Sequence, residues 1–552
     1  AASRSTLRTG SFPFLALFAR MNALDRRHLL RLAAASATTL WLPRSAWSQP
    51  RLPERPFALG VACGWPTHQS VVLWTRLVGP ARGDAPSSSL QAGPVTVRWE
   101  LADDAAFTRI ARTGQAQALP ELAHAVHVEL EGLAPDRWYW YRFMVGDAVS
   151  GVGRARTLPE PGAAAARLRL AYASCQRWDH GHYAAWRHLA QGEAPDLVLF
   201  LGDYIYEYPS GRGAVRPVPG DWALDLASYR ERHALHKSDA HLQAAHALCP
   251  WLLTWDDHEV SNDYAGLHHG NRGPAVPDFA ARRAAAYQAY YEHMPLPSGV
   301  LTRALAGLAA GAETRLYGGL RFGQLARIAL LDGRQYRDPQ VCPPPGRTGG
   351  GMVPVASCPA LDDPARSMLG AAQEAWLNQR LAAAGREGAG WTVLAQDLLF
   401  GQRTVAGPNG AAVWNDAWDG YAPARRRLTD ALRQHGTPNP VLLGGDIHEN
   451  WVGHVKADYA REDSASVGVE FCGTSISSHG GSYPGFDQLL RQNPHFVFGN
   501  RDKRGYGLIT LTPERLQAEL LAVRDAADAA SPVDLLARFE VESGRARIER
   551  VA

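Results

Sequence analysis

At 552 residues, with 46% hydrophobic and 20% charged side chains, the chain has a globular composition and is too long for one small core, so two or more domains are expected. Fifty-seven Lys and Arg against 54 Asp and Glu leave a formal charge of +3, which is not the clustered basic footprint of a nucleic-acid binder. Six cysteines are too few for a disulfide scaffold.

The first 50 residues read as a targeting segment. From Met21, paired arginines (Arg26, Arg27) precede a moderately apolar, alanine-rich run, and small residues at Ser45, Ala46 and Ser48 supply a cleavage region. Adjacent arginines resemble the twin-arginine export signal, with Met21 a better-proportioned start than Ala1. A disordered basic tail is the competing account. The run is too short and too polar to span a membrane, and no later segment reaches that length. Export predicts a protein of the periplasm or cell exterior, handled by the twin-arginine machinery and lacking a transmembrane segment in its mature form.

Residues 51–160 carry short alternating or apolar runs (VVLWTRL, VTVRWEL, HVELEGL, RWYWYRF) separated by Gly, Pro and Asp turns. With no convincing helix among them, they predict an all-β sandwich of fibronectin or immunoglobulin type. PEPGAAAAR, residues 159–167, reads as a linker. From 166 to 552 buried-strand runs alternate with helical stretches such as HYAAWRHLAQ and GAAQEAWLNQRLAAA, the pattern of an α/β layered domain. Cys342 and Cys358 bracket a Pro- and Gly-rich loop and are expected to pair. VWNDAWDGY, with Trp414, Trp418 and Tyr421, is either a flap over the cleft or a packed aromatic loop. LLARFEVESGRARIERV predicts a closing hairpin.

Six predicted strands end in chemistry-bearing residues: Cys175 and Gln176; Asp203 and Tyr206; Asp256, Asp257 and His258; Asp332 and Arg334; Asp397; Asp446 and His448. In open α/β sheets ligands bind beyond the carboxyl ends of the strands, so these side chains are expected to converge. Several carboxylates in one place repel one another unless cations neutralise them. Carboxylates and a phenolate suit hard cations, while imidazole and thiolate extend the range to transition metals. Asp203 is placed to bridge two ions, the arrangement that clamps in-line displacement at phosphorus, and Tyr206, one turn on, can reach the same ion.

GDYIYE, WDDHEVSND, LLDGRQYRD and GGDIHENW, in this order, with FALGVACGWPTHQSVVLWTRL ahead of them, resemble the PhoD-like alkaline phosphatases within the calcineurin-like metallophosphoesterases, over residues 55 to 545. The resemblance implies a four-layer β-sandwich metallophosphoesterase core flanked by helices, and export through the twin-arginine route. It implies hydrolysis of phosphomonoesters and phosphodiesters by metal-activated hydroxide, with Fe3+ and Ca2+ as cofactors. It carries an iron site onto Cys175, Asp203 and Tyr206, with His448 a further ligand, and calcium positions onto Asp203, Asp257 and Asp446. His258 falls where such enzymes contact the substrate phosphate, and Arg334 is expected as a bidentate phosphate clamp. The alternatives are a phospholipase D-like or wall-polymer phosphodiesterase on the same fold and, less in keeping with so many ligands, a non-enzymatic envelope-binding module.

Overall fold

The computed structural model describes residues 54–79, 90, 93–301, 314–343, 346–407, 410–481 and 485–552. The export segment read at 1–50 lies outside them. The chain divides into two compact units. Of the smaller, 1–48 with 298–315, residues 298–301 and 314–315 are described, the first four as helix. The larger unit, Gln49–Pro297 with Leu316–Ala552, holds both large sheets.

The centre of the first sheet is three parallel strands, Leu168–Ala173, Leu197–Leu201 and Trp251–Thr254, in register at Ala171, Val198 and Trp251. Their sequences LRLAYA, LVLFL and WLLT are nearly continuous apolar runs, as strands covered on both faces must be. Parallel neighbours need crossovers. Helix Ala184–Gln191 supplies the first, and helices Leu226–Lys237 and Ala240–Leu248 the second. Aspartate caps start this second pair, Asp225 in a capping box with Ser228, and Asp239. Antiparallel strands Arg504–Leu511, Arg515–Val523, Val533–Glu542 and Ile548–Arg550 extend one side, the last two forming the expected hairpin.

The other side of this sheet crosses the domain boundary expected at residue 160. Strand Val61–Gly64 pairs parallel with Trp251–Thr254, and Val71–Arg76 and Ala125–Leu130 follow it, giving ten strands in all. A Cβ on residue 64 would lie 2.7 Å from the carbonyls of Trp251 and Pro295, so Gly64 is what allows the approach. The remaining strands of the 51–160 segment form a separate five-stranded sheet, with a core of Val61, Leu73, Val97, Tyr141 and Phe143 between the two. Alternation identifies strands but not their partners, and the partner here is nearly 200 residues away.

The second large sheet has seven strands, four of them parallel: Ala326–Leu330, Trp391–Ala395, Pro440–Gly444 and Ser466–Cys472. It faces the first across a shared apolar core that includes Leu170, Leu199, Leu201, Ile328, Val393 and Leu443, each side chain worth about 1.5–3 kcal/mol of burial. Its other face is covered by helices Gly370–Glu387 and Ala422–Gln434, through Leu377, Leu381 and Leu428. Helix Ala184–Gln191 covers the first sheet from outside, with Trp186 5.0 Å from Trp251. The layers are thus helix, sheet, sheet, helix. Cys342 and Cys358 form the expected disulfide. Beyond the strand ends, a parallel bridge from Ser174 to Ser475 ties the two sheets together, and the site forms there.

Candidate metal centre

Cys175, Asp203, Asp446 and His448 all follow strand ends, and all adopt left-handed backbone conformations, with φ of 58°, 58°, 67° and 56°. Such φ values are uncommon outside glycine and gather where a side chain must be aimed. Close backbone approach brings the loops together. A Cβ at Gly202 would sit 2.4 Å from Asp256 Cβ, and one at Gly445 would sit 2.5 Å from Ser174 Oγ. These glycines let the Asp203 loop touch the Asp256 loop and let the second sheet's strand end touch the first's.

The phenol oxygen of Tyr206 is 2.8 Å from Asp203 Oδ2, 3.0 Å from His448 Nε2 and 2.8 Å from Ser478 Oγ. His448 Nδ1–H donates to the His479 carbonyl at 2.7 Å, which leaves the Nε2 lone pair facing Tyr206 and Asp203, the tautomer a metal ligand needs. Cys175 is buried beside them. Burial, then the Asp203 charge, pushes its thiol well up, and the same two influences push up the Tyr206 phenol.

The turn after Trp251–Thr254 supplies Asp257 and His258. His258 Nδ1 pairs with Glu207 Oε2 at 2.7 Å, and the other Glu207 oxygen accepts the Asn262 backbone N–H. Burial opposes charge on His258, but Tyr208, Asp257 and Glu207 together outweigh it and hold the imidazolium well above its usual range. Glu259 is a clamp between loops: it accepts the backbone N–H groups of Asp203 and Tyr204 on one strand end and of Asp256 on the next.

From the second sheet come Asp397 and Asp446, and between them Arg334. The expected phosphate clamp is not placed as one. Arg334 is fully buried; Nε donates to Asp256, Nη1 donates to Asp416 Oδ2 at 2.7 Å, and Nη2 lies 3.5 Å from Asp446 Oδ1. Five carboxylates lie within ion-pair distance of this guanidinium, which leaves it no face for a substrate. Asp203, Tyr206, Asp257, Asp446, His448, Cys175 and His258 do converge as expected.

Three donor groups have ligand atoms within 4.8 Å of one another: Cys175, Asp203 and His448; Asp203, Asp257 and His258; and Asp256, Asp257 and Asp446. Asp203 and Asp257 are each shared by two groups. Asp256 Oδ2 and Asp257 Oδ1 are buried without a hydrogen-bond partner, a costly state for carboxylate oxygens that a cation would relieve. The residues fit metal ions. A cation there would also invert the pKa shifts of Cys175 and Tyr206, favouring thiolate and phenolate.

Sequence reasoning missed Glu207, Glu259, Asp416 and Ser478. Glu207 and Glu259 stand inside the motifs GDYIYE and WDDHEVSND, and that proximity was the available signal. Of the three aromatic residues expected over the cleft or in a packed loop, Trp414 ends strand Gly410–Trp414 half-buried, while the other two are packed. Trp418 and Tyr421 are buried, with Trp418 Nε1–H donating to Gln396 and the Tyr421 hydroxyl to the Asp338 carbonyl. A cavity of about 730 Å3 lies at the opposite, amino-terminal strand ends, beside Trp391 and Pro440, far from this chemistry.

The family model of the PhoD-like phosphatase matches residues 170–520, and that of the PhoD-like phosphatase N-terminal domain matches residues 44–159. The chain is 40% identical to alkaline phosphatase D of Bacillus subtilis (strain 168) over 549 residues, covering 96% of this chain and 90% of the relative. A solved structure of PhoD superposes with a TM-score of 0.81 at 39% identity, covering 92% of this chain and 93% of that one. A purple acid phosphatase, PPD1 from yellow lupin (Lupinus luteus) seeds, shares the fold at 10% identity, with a TM-score of 0.53 over 87% of this chain and 74% of that one. The chain belongs to the PhoD-like phosphatase family and is a phosphatase enzyme.

Proposed function

We propose that the protein is an exported phosphoesterase that hydrolyses phosphomonoesters and phosphodiesters at a centre holding iron and calcium. The observation that carries this is the position of Asp203, whose carboxylate lies within 4.8 Å of ligand atoms of Cys175 and His448 on one side and of Asp257 on the other, the layout expected for a carboxylate bridging two ions. Cys175, Asp203, Tyr206 and His448 would hold the iron, since thiolate and phenolate stabilise a trivalent ion. Asp203, Asp257 and Asp446 would hold calcium, an all-oxygen set. When bound, these ions supply an activated water for attack on phosphorus and neutralise the charge that develops there.

The chain's own residues do the rest. Glu259 fixes the spacing of the Asp203 and Asp256 loops through three backbone N–H groups. Glu207 holds His258 by Nδ1, so Nε2–H is the atom offered to the substrate, where it donates a proton to the departing oxygen. The carboxylates on Arg334 form the floor. The resemblance and these layers support a four-layer metallophosphoesterase core with a fibronectin-like amino-terminal sheet. Arg26 and Arg27 support twin-arginine export, and among the described residues no helix is long and apolar enough to cross a membrane.

The test is turnover of p-nitrophenyl phosphate and bis-p-nitrophenyl phosphate before and after chelation, alongside metal analysis. Loss of both activities on chelation, with return on adding iron and calcium, is the expected result. Full activity in metal-free protein overturns it. For export, replacing Arg26 and Arg27 by lysine should retain a folded precursor in the cytoplasm, and undiminished secretion contradicts the route.

A further inference from the structure

Of the five carboxylates around Arg334, Asp397 and Asp416 stand in none of the three donor groups, and Asp256 stands only in the one it forms with Asp257 and Asp446. Asp397 is fully buried, and neither of its oxygens has a hydrogen-bond partner; its Oδ2 lies 3.5 Å from Arg334 Nε. A Cβ on Gly333 would meet Asp397 Oδ1 at 2.6 Å, so the backbone is built closely around this group. The oxygens of Asp256, Asp257 and Asp446 lie within 4.8 Å of one another, the spacing of a cation site. Arg334 contacts each of those three: Nε donates to Asp256, while Nη2 is 3.9 Å from Asp257 Oδ1 and 3.5 Å from Asp446 Oδ1. Asp416 cannot turn away to balance charge elsewhere, because Arg337 Nη2 donates to its other oxygen at 2.6 Å.

We propose that Arg334 is a built-in cation: its guanidinium fills a position that a divalent metal would otherwise take, and it holds Asp257 and Asp446 ready for the metal on their far side. The role of Asp257 and Asp446 as ligands rests on the function proposed above; the filled position does not. Burial favours this division. Five carboxylates gathered without cations would have to take up protons or spread apart, and the rear of the cluster is closed to exchangeable ions. Asp397 is already held up to about 7 by burial, even with Arg334 beside it. A covalently attached cation neutralises the rear permanently, so the front can gain and release metal without the floor collapsing. Arg334 is a positioning residue, acting through Asp256, Asp257 and Asp446.

Calcium binding by equilibrium dialysis tests this, comparing wild type, Arg334→Ala and Arg334→Lys at full length. Arg334→Ala should bind one equivalent of Ca2+ per chain more than wild type, with a melting temperature that rises more steeply with Ca2+. Arg334→Lys, which restores a positive charge, should return to the wild-type stoichiometry. Recovery of folded Arg334→Ala only when Ca2+ or guanidinium ion is supplied would support the proposal equally. Equal Ca2+ stoichiometry in folded wild type and Arg334→Ala overturns it, as does failure to fold with either ion. Wild type that binds no metal would sink the metal centre itself, while the difference between variant and wild type still decides the role of Arg334.

Discussion

Glu207 Oε2 lies 2.7 Å from Nδ1 of His258, and both side chains are buried. A carboxylate at that distance favours the imidazolium, so Glu207 raises the pH at which His258 gives up its proton. Activity that depends on protonated His258 is lost as pH rises through its folded pKa. Glu207→Gln keeps the shape and removes the charge. The alkaline limb of kcat/KM should therefore move to lower pH, by about one to three pH units. An unmoved limb would mean that His258 is not the acid.

Asp203 stands in two donor groups at once, so one substitution dismantles both. Asp203→Ala should lower turnover by more than about a hundredfold, as loss of metal-site groups does. Metal analysis should show reduced content of both ions. Retention of both ions with low activity would instead make Asp203 a substrate contact.

The shared ten-stranded sheet predicts that a cut at residue 160 leaves neither side well folded. Trp251–Thr254 would lose its partner Val61–Gly64. Helix Phe279–His293 and the residue after it would lose the Trp74 Nε1–H donation to the Glu292 carbonyl and the His127 contact at 3.0 Å with the Met294 carbonyl. A truncated chain of residues 161–552 should be insoluble or melt without cooperativity, whereas 54–552 should fold. A soluble, cooperatively melting 161–552 would contradict this.

Much of this was legible in the sequence, for definite reasons. The runs LVLFL and WLLT are apolar at every position because both faces are covered, and the polar residue after each run had to be a turn former or a ligand. Convergence of several such ends was readable. The place of Arg334 was not, because a motif gives a residue without the five carboxylates that surround it. Glu207 and Glu259 escaped because His258, Asp203 and Tyr204, the partners that reveal their roles, lie 51 to 56 residues away along the chain, a distance over which no local pattern extends. The packed Trp418 and Tyr421 read equally as flap or core because aromatic side chains serve both.

Glu470 offers a pH test away from the metal centre. It is buried and accepts the backbone N–H groups of Phe400 and Gly401 at 2.6 and 2.8 Å. Burial nonetheless holds its carboxyl up at about 7, against an ordinary 4.5. Between these values the folded state keeps a proton that the unfolded state has released, so stability falls as pH rises from 4.5 to 7 and then levels. Glu470→Gln has no proton to lose, and its lost hydrogen bonds add an offset that does not vary with pH. Wild-type stability minus variant stability should fall by on the order of 3 kcal/mol across that window. Histidines that titrate there do so in both proteins and cancel. A flat difference, measured by urea melts at several pH values, would refute the assignment.

Tyr206 offers a test of the proposed iron. Its hydroxyl is 2.8 Å from Asp203 Oδ2, 3.0 Å from His448 Nε2 and 2.8 Å from Ser478 Oγ, a cluster that could be no more than a buried hydrogen-bond network. Burial pushes the phenol well above its ordinary pKa, so without a cation it stays protonated and colourless. If ferric iron is the ion held there, Tyr206 would serve it as a phenolate ligand, and purified protein should then contain iron and show a visible absorption band. Cys175 thiolate can add to that band or shift it. Tyr206→Phe removes only the hydroxyl, and with Asp203 and His448 kept in place by Glu259 and by the His479 carbonyl, the fold should survive. The band should bleach or move, and iron should bind about ten- to a hundredfold more weakly, the scale seen when a metal site loses a supporting group. A network role predicts lost stability instead, with the spectrum unchanged. A colourless, fully active wild type holding only zinc or magnesium would remove iron from the site and leave the two-ion phosphoesterase standing.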